Sequence, residues 1–235
     1  MFTFPTFWEG LCVLCLRVLR KMNVVKWVLT PSKFLELSEA SRLLQVVRGK
    51  AVDARNRGCS VAVRDWFVVE LGLGSGLRVS EMAQLNCGDL YVEPGSCGLL
   101  VRKGKGGKPR FVFFNQVLRD VCISFLHWKE SVGESVESVA PLLLSSVTQG
   151  HFSSRALQKS FKRSALRAGL SGRYSIHCLR HTYACELYRV SGHNLRLVQK
   201  QLGHSSIKTT EVYADVVEGE IRDVVENLFA NKGVR

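Results

Sequence analysis

Long hydrophobic runs are missing from this chain. No apolar stretch reaches the ~18 residues that a membrane-spanning helix needs. The most apolar early segment, Leu11 to Leu19, is broken by Arg17. No small-residue cleavage site follows it, so it does not read as a secretory signal. Internal repeats and low-complexity tracts are absent as well, which argues against solenoids, propellers and disordered tails. A disulfide framework is also missing. Cys12, Cys15, Cys59, Cys87, Cys97, Cys122, Cys178 and Cys185 are scattered among apolar residues, as reduced core cysteines of a cytoplasmic protein would be. Cys12 and Cys15 form a CxxC, but no second pair stands at zinc-ribbon spacing, so no metal site is expected.

Acidic charge is scarce. Asp and Glu number 20 against 33 Lys and Arg, a formal net charge of +13. A polyanion, nucleic acid first, is the partner this suggests. A generally basic protein would show the same total, so clustering carries the argument. Arg102, Lys103, Lys105, Lys108 and Arg110 crowd one stretch, and Arg155, Lys159, Lys162, Arg163, Arg167 and Arg173 crowd another. Such clusters neutralise several phosphates at once, and that attraction is the main source of non-specific DNA affinity. With 46% hydrophobic residues among 235, the chain can still bury a sizeable core.

The hydrophobic periodicity predicts a mainly α domain with a small antiparallel β-sheet, an α+β fold. Thr30-Pro31 reads as cap and first turn of a helix with Phe34, Leu35, Leu37, Leu43, Leu44 and Val47 on one stripe. Further helices are expected over Val61–Leu73 and from about Arg78 to Leu85. Strands are expected at Leu90–Val92, Leu99–Arg102 and Phe111–Phe114, the last two joined by a glycine-rich connection from Lys103 to Pro109. Asn115 caps the next helix, Gly133–Gly150 reads as loop, and a basic helix follows over Ser153–Ala168. Ser175 is expected to cap Ile176–Val190, Asn194 to cap Leu195–Leu202, and Ser205 or Ser206 to cap a helix reaching Asp215. A last helix is expected over Glu218–Phe229, with Ile221, Val224, Val225, Leu228 and Phe229 as an apolar stripe.

Chemistry-bearing residues gather in the C-terminal half. His177, Arg180 and His181 stand at i, i+3 and i+4, on one helix face. A solvated basic face or a satisfied core histidine would account for them equally well. Gly203-His204 ends a helix, and Tyr213 follows nine residues later, but spacing alone does not choose it over Tyr91, Tyr174, Tyr183 or Tyr188. Upstream, Arg78 begins a helix after a flexible turn, a position suited to phosphate. Gly72, Gly74 and Gly76 imitate part of a dinucleotide fingerprint, yet they follow a helix rather than a strand.

Taken in order, SGLRVSEMAQL with DL following, GKGGKPR, HCLRHTYA and LGHSSIKTTEVYADV resemble the tyrosine recombinase (phage integrase) family, over about residues 30 to 230. The resemblance implies that family's catalytic-domain fold, and cleavage and rejoining of double-stranded DNA through a 3′-phosphotyrosine. It implies no metal, no ATP and no cofactor. Carried over residue by residue, it makes Arg78 and Arg180 the clamp on the scissile phosphate and Lys105 the general acid for the leaving 5′ oxygen. His177 becomes the acid–base residue paired with the nucleophile, His204 a further phosphate hydrogen bonder, Tyr213 the nucleophile, and Glu81 the acidic support behind the site. DNA contacts are expected from Arg102, Lys103, Lys108, Arg110, Arg155, Lys159, Lys162, Arg163 and His181. Elementary chemistry agrees. Guanidinium forks and imidazoles stabilise charge building on phosphate oxygens, and a phenol with an ordinary pKa of about 10 needs help to attack.

Residues 1–29 read as a short extension rather than the full core-binding domain usual in the family, and 30–235 as the catalytic domain. A minimal recombinase, a truncated and catalytically impaired DNA-binding remnant, and dependence on an accessory protein for DNA grip all fit that pattern. Type IB topoisomerase-like relaxation uses similar chemistry. In the family, a segment after the nucleophile docks on a neighbouring protomer, which would give a tetramer on DNA; packing of the 218–229 helix on its own domain fits the sequence equally well.

Overall fold

The most apolar helix organises the fold. In the computed structural model, which describes residues 33–214 apart from 94, 96 and 105–107, α1 (Leu37–Asn56) packs on α2 (Ser60–Ser75). Helix α2 is buried nearly all round, from Val63 to Gly72, as expected of a helix with apolar residues on every side. A one-turn helix α3 (Val79–Ala83) and a 3₁₀ turn (Cys87–Asp89) lead into β1 (Leu90–Tyr91), β2 (Gly98–Val101) and β3 (Arg110–Phe113). These form an antiparallel sheet in the order β1-β2-β3, with Leu99 opposite both Leu90 and Val112. Then come α4 (Gln116–Ser131), α5 (Ser154–Arg167), α6 (His177–Val190), α7 (Leu195–Leu202) and α8 (Lys208–Glu211). The fold is therefore mainly helical with one small antiparallel sheet.

Local capping explains several boundaries. The side chains of Asn115, Ser153 and Asn194 accept hydrogen bonds from the amides of Leu118, Ala156 and Leu197, satisfying donors that a helix start leaves free. Other boundaries differ from the periodicity reading. Helix α1 begins at Leu37, where the Glu39 carboxylate accepts from the Glu36 amide at 3.1 Å. Leu37 is 56% exposed, and the buried stripe is Ala40, Leu43, Val47, Ala51 and Ala54. Ser175 does not cap α6. Its carbonyl accepts from the Cys178 amide, and the chain enters through Ile176 in helical conformation. Neither Ser205 nor Ser206 caps α8, which is a single turn entered through Ile207. Thr30-Pro31, Cys12, Cys15, the 1–29 extension and the helix expected over 218–229 lie outside the described residues.

Two apolar cores result among the described residues. The larger one centres on Phe67 and Phe125, whose rings stack at 3.8 Å between α2 and α4. The smaller one joins Ala184, Cys185 and Tyr188 of α6 to Val198 and Leu202 of α7, and to Tyr213. Tyr213 is thus seated by its own small core, at the end of the chain described. Buried Asp65 ties α5 to α2 through Ser160, Arg163 and Arg167. Among the described residues, no helix is long and apolar enough to cross a membrane.

Candidate active site

The site forms where α2 stops. Gly76 closes α2 at φ +63, and a Cβ there would lie 2.3 Å from the Tyr183 ring, so both backbone and space demand glycine. Two residues on, Arg78 stands at the entry to α3. Its Nη1 donates to Glu81 Oε1 at 2.7 Å, its backbone amide to Oε2 at 2.9 Å, and its Nη2 to the Gly203 carbonyl at 3.3 Å. Arg180, on the buried face of α6, donates from Nη1 to the Gly76 carbonyl at 2.5 Å and from Nη2 to the Leu202 carbonyl at 3.0 Å. The ends of α2, α6 and α7 are thereby drawn around two guanidinium groups.

His204 follows Gly203, which ends α7 at φ +66. Its Nε2 lies 2.9 Å from Arg180 Nη2 and its Nδ1 lies 3.0 Å from Thr210 Oγ1. A guanidinium only donates, so Nε2 accepts and Nδ1 carries the proton, donating to Thr210. Burial, then the charges of Arg180, Arg78 and Arg110, pushes the His204 pKa down to about 3. His181 is lowered to about 4 by burial and then by Arg180. Burial pushes the Tyr213 phenol up to about 12, although Arg180 opposes it. At neutral pH the site therefore holds neutral imidazoles and a protonated phenol among fixed positive charge. Arg180 is itself lowered to about 10, by burial and then by Arg78, and stays charged.

The histidine that meets Tyr213 is His181, with Nδ1 at 3.2 Å from the hydroxyl. From sequence, His181 is expected with the DNA contacts instead. His177, expected to pair with the tyrosine, is the exposed first residue of α6 and makes no such contact. Both histidines line one cavity of about 490 Å³, together with Arg78, Arg180, His204 and Tyr213. Lys208 and Thr209 line it too. Sequence reasoning passes over them, although KTT lies between His204 and Tyr213 and offers a signal. Lys105 lies outside the described residues. The hairpin that carries it is closed by the Gly104 amide donating to the Lys108 carbonyl.

Most of the expected DNA contacts are exposed, but several of them are also tied to the protein's own acceptors. Lys103, Lys108, Arg155, Lys159 and Lys162 are exposed. Arg155, Lys159, Lys162 and Arg163 line a groove that also reaches His177. Arg163, however, is a fork on buried Asp65 at 2.6 and 3.0 Å, and Arg102 pairs with Asp89 at 3.0 Å. Arg110 turns inward, with both terminal nitrogens on the Glu81 carboxylate at 2.7 and 2.8 Å. Burial would raise the Glu81 pKa, yet the hydrogen bonds from Arg110 and from the Arg78 amide bring it down to about 2.

Comparison with known proteins agrees with this architecture. Residues 33–220 match the phage integrase family. Tyrosine recombinase XerC of Caldanaerobacter subterraneus subsp. tengcongensis is 32% identical over 193 residues, covering 82% of this chain and 50% of that protein. Tyrosine recombinase XerD of Bradyrhizobium diazoefficiens is 32% identical over 203 residues, covering 83% and 63%. The chain thus spans between half and two thirds of the length of these relatives. Among solved structures, XerA recombinase superposes with a TM-score of 0.65 at 23% identity, over 86% of this chain and 64% of that one. XerH site-specific recombinase bound to difH substrate, a pre-cleavage complex, gives 0.62 at 26%, over 82% and 53%. Four motifs in order, a helical fold with one small sheet, and a family match over most of the chain lead to one assignment: the chain belongs to the phage integrase family of tyrosine recombinases.

Proposed function

We propose that this chain performs the DNA-cutting and rejoining step of site-specific recombination, with Tyr213 as nucleophile. The observation that carries the reading is convergence. Tyr213, Arg78, Arg180, His177, His181 and His204 all line one cavity. Arg78 and Arg180 hold the scissile phosphate there as a double fork and stabilise the charge that builds on its oxygens. The Tyr213 oxygen attacks phosphorus, the bond to the 5′ oxygen breaks, and a 3′-phosphotyrosine remains. His177, at the open rim, receives the phenol proton, and Lys105 gives a proton to the leaving 5′ oxygen. His181 holds the phenol until DNA arrives. Rejoining runs the same exchange backward with a 5′-hydroxyl as attacker. One ester replaces another, so the step needs no ATP.

Double-stranded DNA is the substrate, and the groove of Arg155, Lys159 and Lys162 beside His177 supports this. The XerH relative was captured on its difH substrate before and after cleavage. A neighbouring copy completes the assembly. An apolar groove of about 770 Å³ among Leu44, Leu73, Phe114, Leu187 and Leu197 suits the stripe of Ile221, Val224, Val225, Leu228 and Phe229 from that copy. The test is incubation with nicked suicide DNA followed by denaturing electrophoresis. The expected result is a protein–DNA adduct that Tyr213→Phe abolishes. Its absence on sites from the DNA flanking the gene would overturn the proposal.

A further inference from the structure

Arg110 opens β3, opposite Val101 at the foot of the hairpin that carries Lys105. From such a place a basic side chain ordinarily reaches for solvent. Here it is 14% exposed and forks onto Glu81, which is 4% exposed. The same carboxylate holds Arg78, with Oε1 accepting from Nη1 and Oε2 from the backbone amide. Glu81 therefore lies between two guanidinium groups. Arg110 also lies flat against Gly203, where a Cβ would come within 2.6 Å of Arg110 Cδ and 2.7 Å of Nε. The Gly203 carbonyl in turn accepts from Arg78 Nη2 at 3.3 Å. One side chain thus touches the residue that holds Arg78, the turn that presents His204 and the base of the Lys105 hairpin. It does not line the phosphate cavity.

Resting on the functional reading above, we infer that Arg110 is a positioning residue of the cleavage site, which occupies the Glu81 carboxylate so that Arg78 stays available to phosphate. The physical reason is competition for a carboxylate. A buried Glu with a single arginine forms a closed, neutral, bidentate pair, because both oxygens seek a fork. Without Arg110, Arg78 would be drawn onto both oxygens of Glu81 and its charge cancelled. With Arg110 in place, two cations share one anion. The trio keeps a net positive charge, and Arg78 gives the carboxylate one nitrogen and its backbone amide. Lysine cannot replace this fork, since an ammonium is a point donor.

The experiment compares wild type, Arg110→Met, Arg110→Lys and the double variant Arg110→Met with Glu81→Gln. Single-turnover adduct formation on nicked suicide DNA is measured at saturating DNA, alongside DNA affinity at fixed salt. Arg110→Met is expected to slow cleavage about 100-fold with little change in affinity, and Arg110→Lys to rescue it only in part. Glu81→Gln in the Met background is expected to recover at least about tenfold, because nothing then draws Arg78 away. Loss of affinity with an unchanged saturated rate would show a direct DNA contact and overturn the inference. So would a double variant no better than Arg110→Met. If wild type forms no adduct, the functional reading fails on its own. Arg110 is then judged by orthovanadate binding, read as protection from thermal unfolding. Arg110→Met should bind it about tenfold more weakly and the double variant should recover; equal binding by wild type and Arg110→Met overturns the inference.

Discussion

His181 Nδ1 lies 3.2 Å from the Tyr213 hydroxyl, and that contact joins α6 to the chain segment after α8. The tyrosine is only 2% exposed. The Tyr213 hydroxyl is thus stored rather than presented, against a neutral imidazole. On the proposed function, DNA loading draws that hydroxyl toward the phosphate. In the DNA-free protein, ultraviolet titration should place Tyr213 among the late-ionising tyrosines, at about pH 12, and Tyr213→Phe should reduce the late amplitude by one tyrosine.

The same imidazoles set an acid limit on stability. His181 and His204 are depressed to about 4 and 3 in the fold, against about 6.5 when unfolded. A depressed folded pKa means that the unfolded state binds protons first as pH falls. Their contribution is therefore complete above about pH 6.5 and is lost as pH falls through about 4 for His181 and about 3 for His204. Thermal unfolding should show Tm falling between pH 6.5 and 4, and a His181→Asn, His204→Asn double variant should show a shallower slope. Equal slopes would mean that other groups govern acid unfolding.

Thr210 has the narrowest task of the site. It is fully buried and its hydroxyl accepts from His204 Nδ1. Thr210→Val keeps the shape and removes the acceptor. Leaving that imidazole donor unpaired should destabilise the protein by roughly 1–3 kcal/mol. The His204 tautomer should also lose its definition, visible in the ring ¹⁵N shifts. Thr210→Ser should restore both.

What could be read from the sequence follows the range of the forces involved. The caps at Asn115 and Asn194 act within three residues, so the sequence displays them directly. Gly203 ends α7 for an equally local reason. The orientation of Arg110 depends on Glu81, 29 residues away. No local pattern separates an arginine pointing inward from one reaching for DNA. His177 and His181 share a face by helical spacing, but only the packing of Tyr213 into the small core of α6 and α7 selects His181 as its neighbour. Tyr174 and Tyr188 are buried too, so burial and spacing alone do not single out Tyr213.

Gly76 links stability to chemistry. Its φ of +63 disfavours any side chain, and a Cβ would meet the Tyr183 ring at 2.3 Å. Gly76→Ala should destabilise the fold by about 2 kcal/mol, combining backbone strain with overpacking. The Gly76 carbonyl accepts from Arg180, and Arg78 lies two residues on, so the shift displaces both forks. Adduct formation should fall by at least about tenfold at a temperature where circular dichroism shows the variant fully folded. A variant that cleaves normally once folded would separate this glycine from the site.

Asp65 gives the opposite separation, stability without chemistry. Its carboxylate is 3% exposed and takes Ser160, Arg163 and Arg167, fixing α5 to α2. Asp65→Asn keeps the shape but removes the charge that holds the two arginines, which are themselves more than one third exposed. Solvent already screens part of that attraction, so the loss should be modest, about 1–2 kcal/mol by denaturant unfolding. Arg163 lines the basic groove beside His177. Freed from Asp65, it becomes available to phosphate. DNA affinity should therefore rise while stability falls, and the slope of log affinity against log salt should steepen by about one. A variant that loses stability and affinity together would show that Asp65 is needed to hold α5 in its DNA-facing position, and that Arg163 contributes through the helix rather than through its charge.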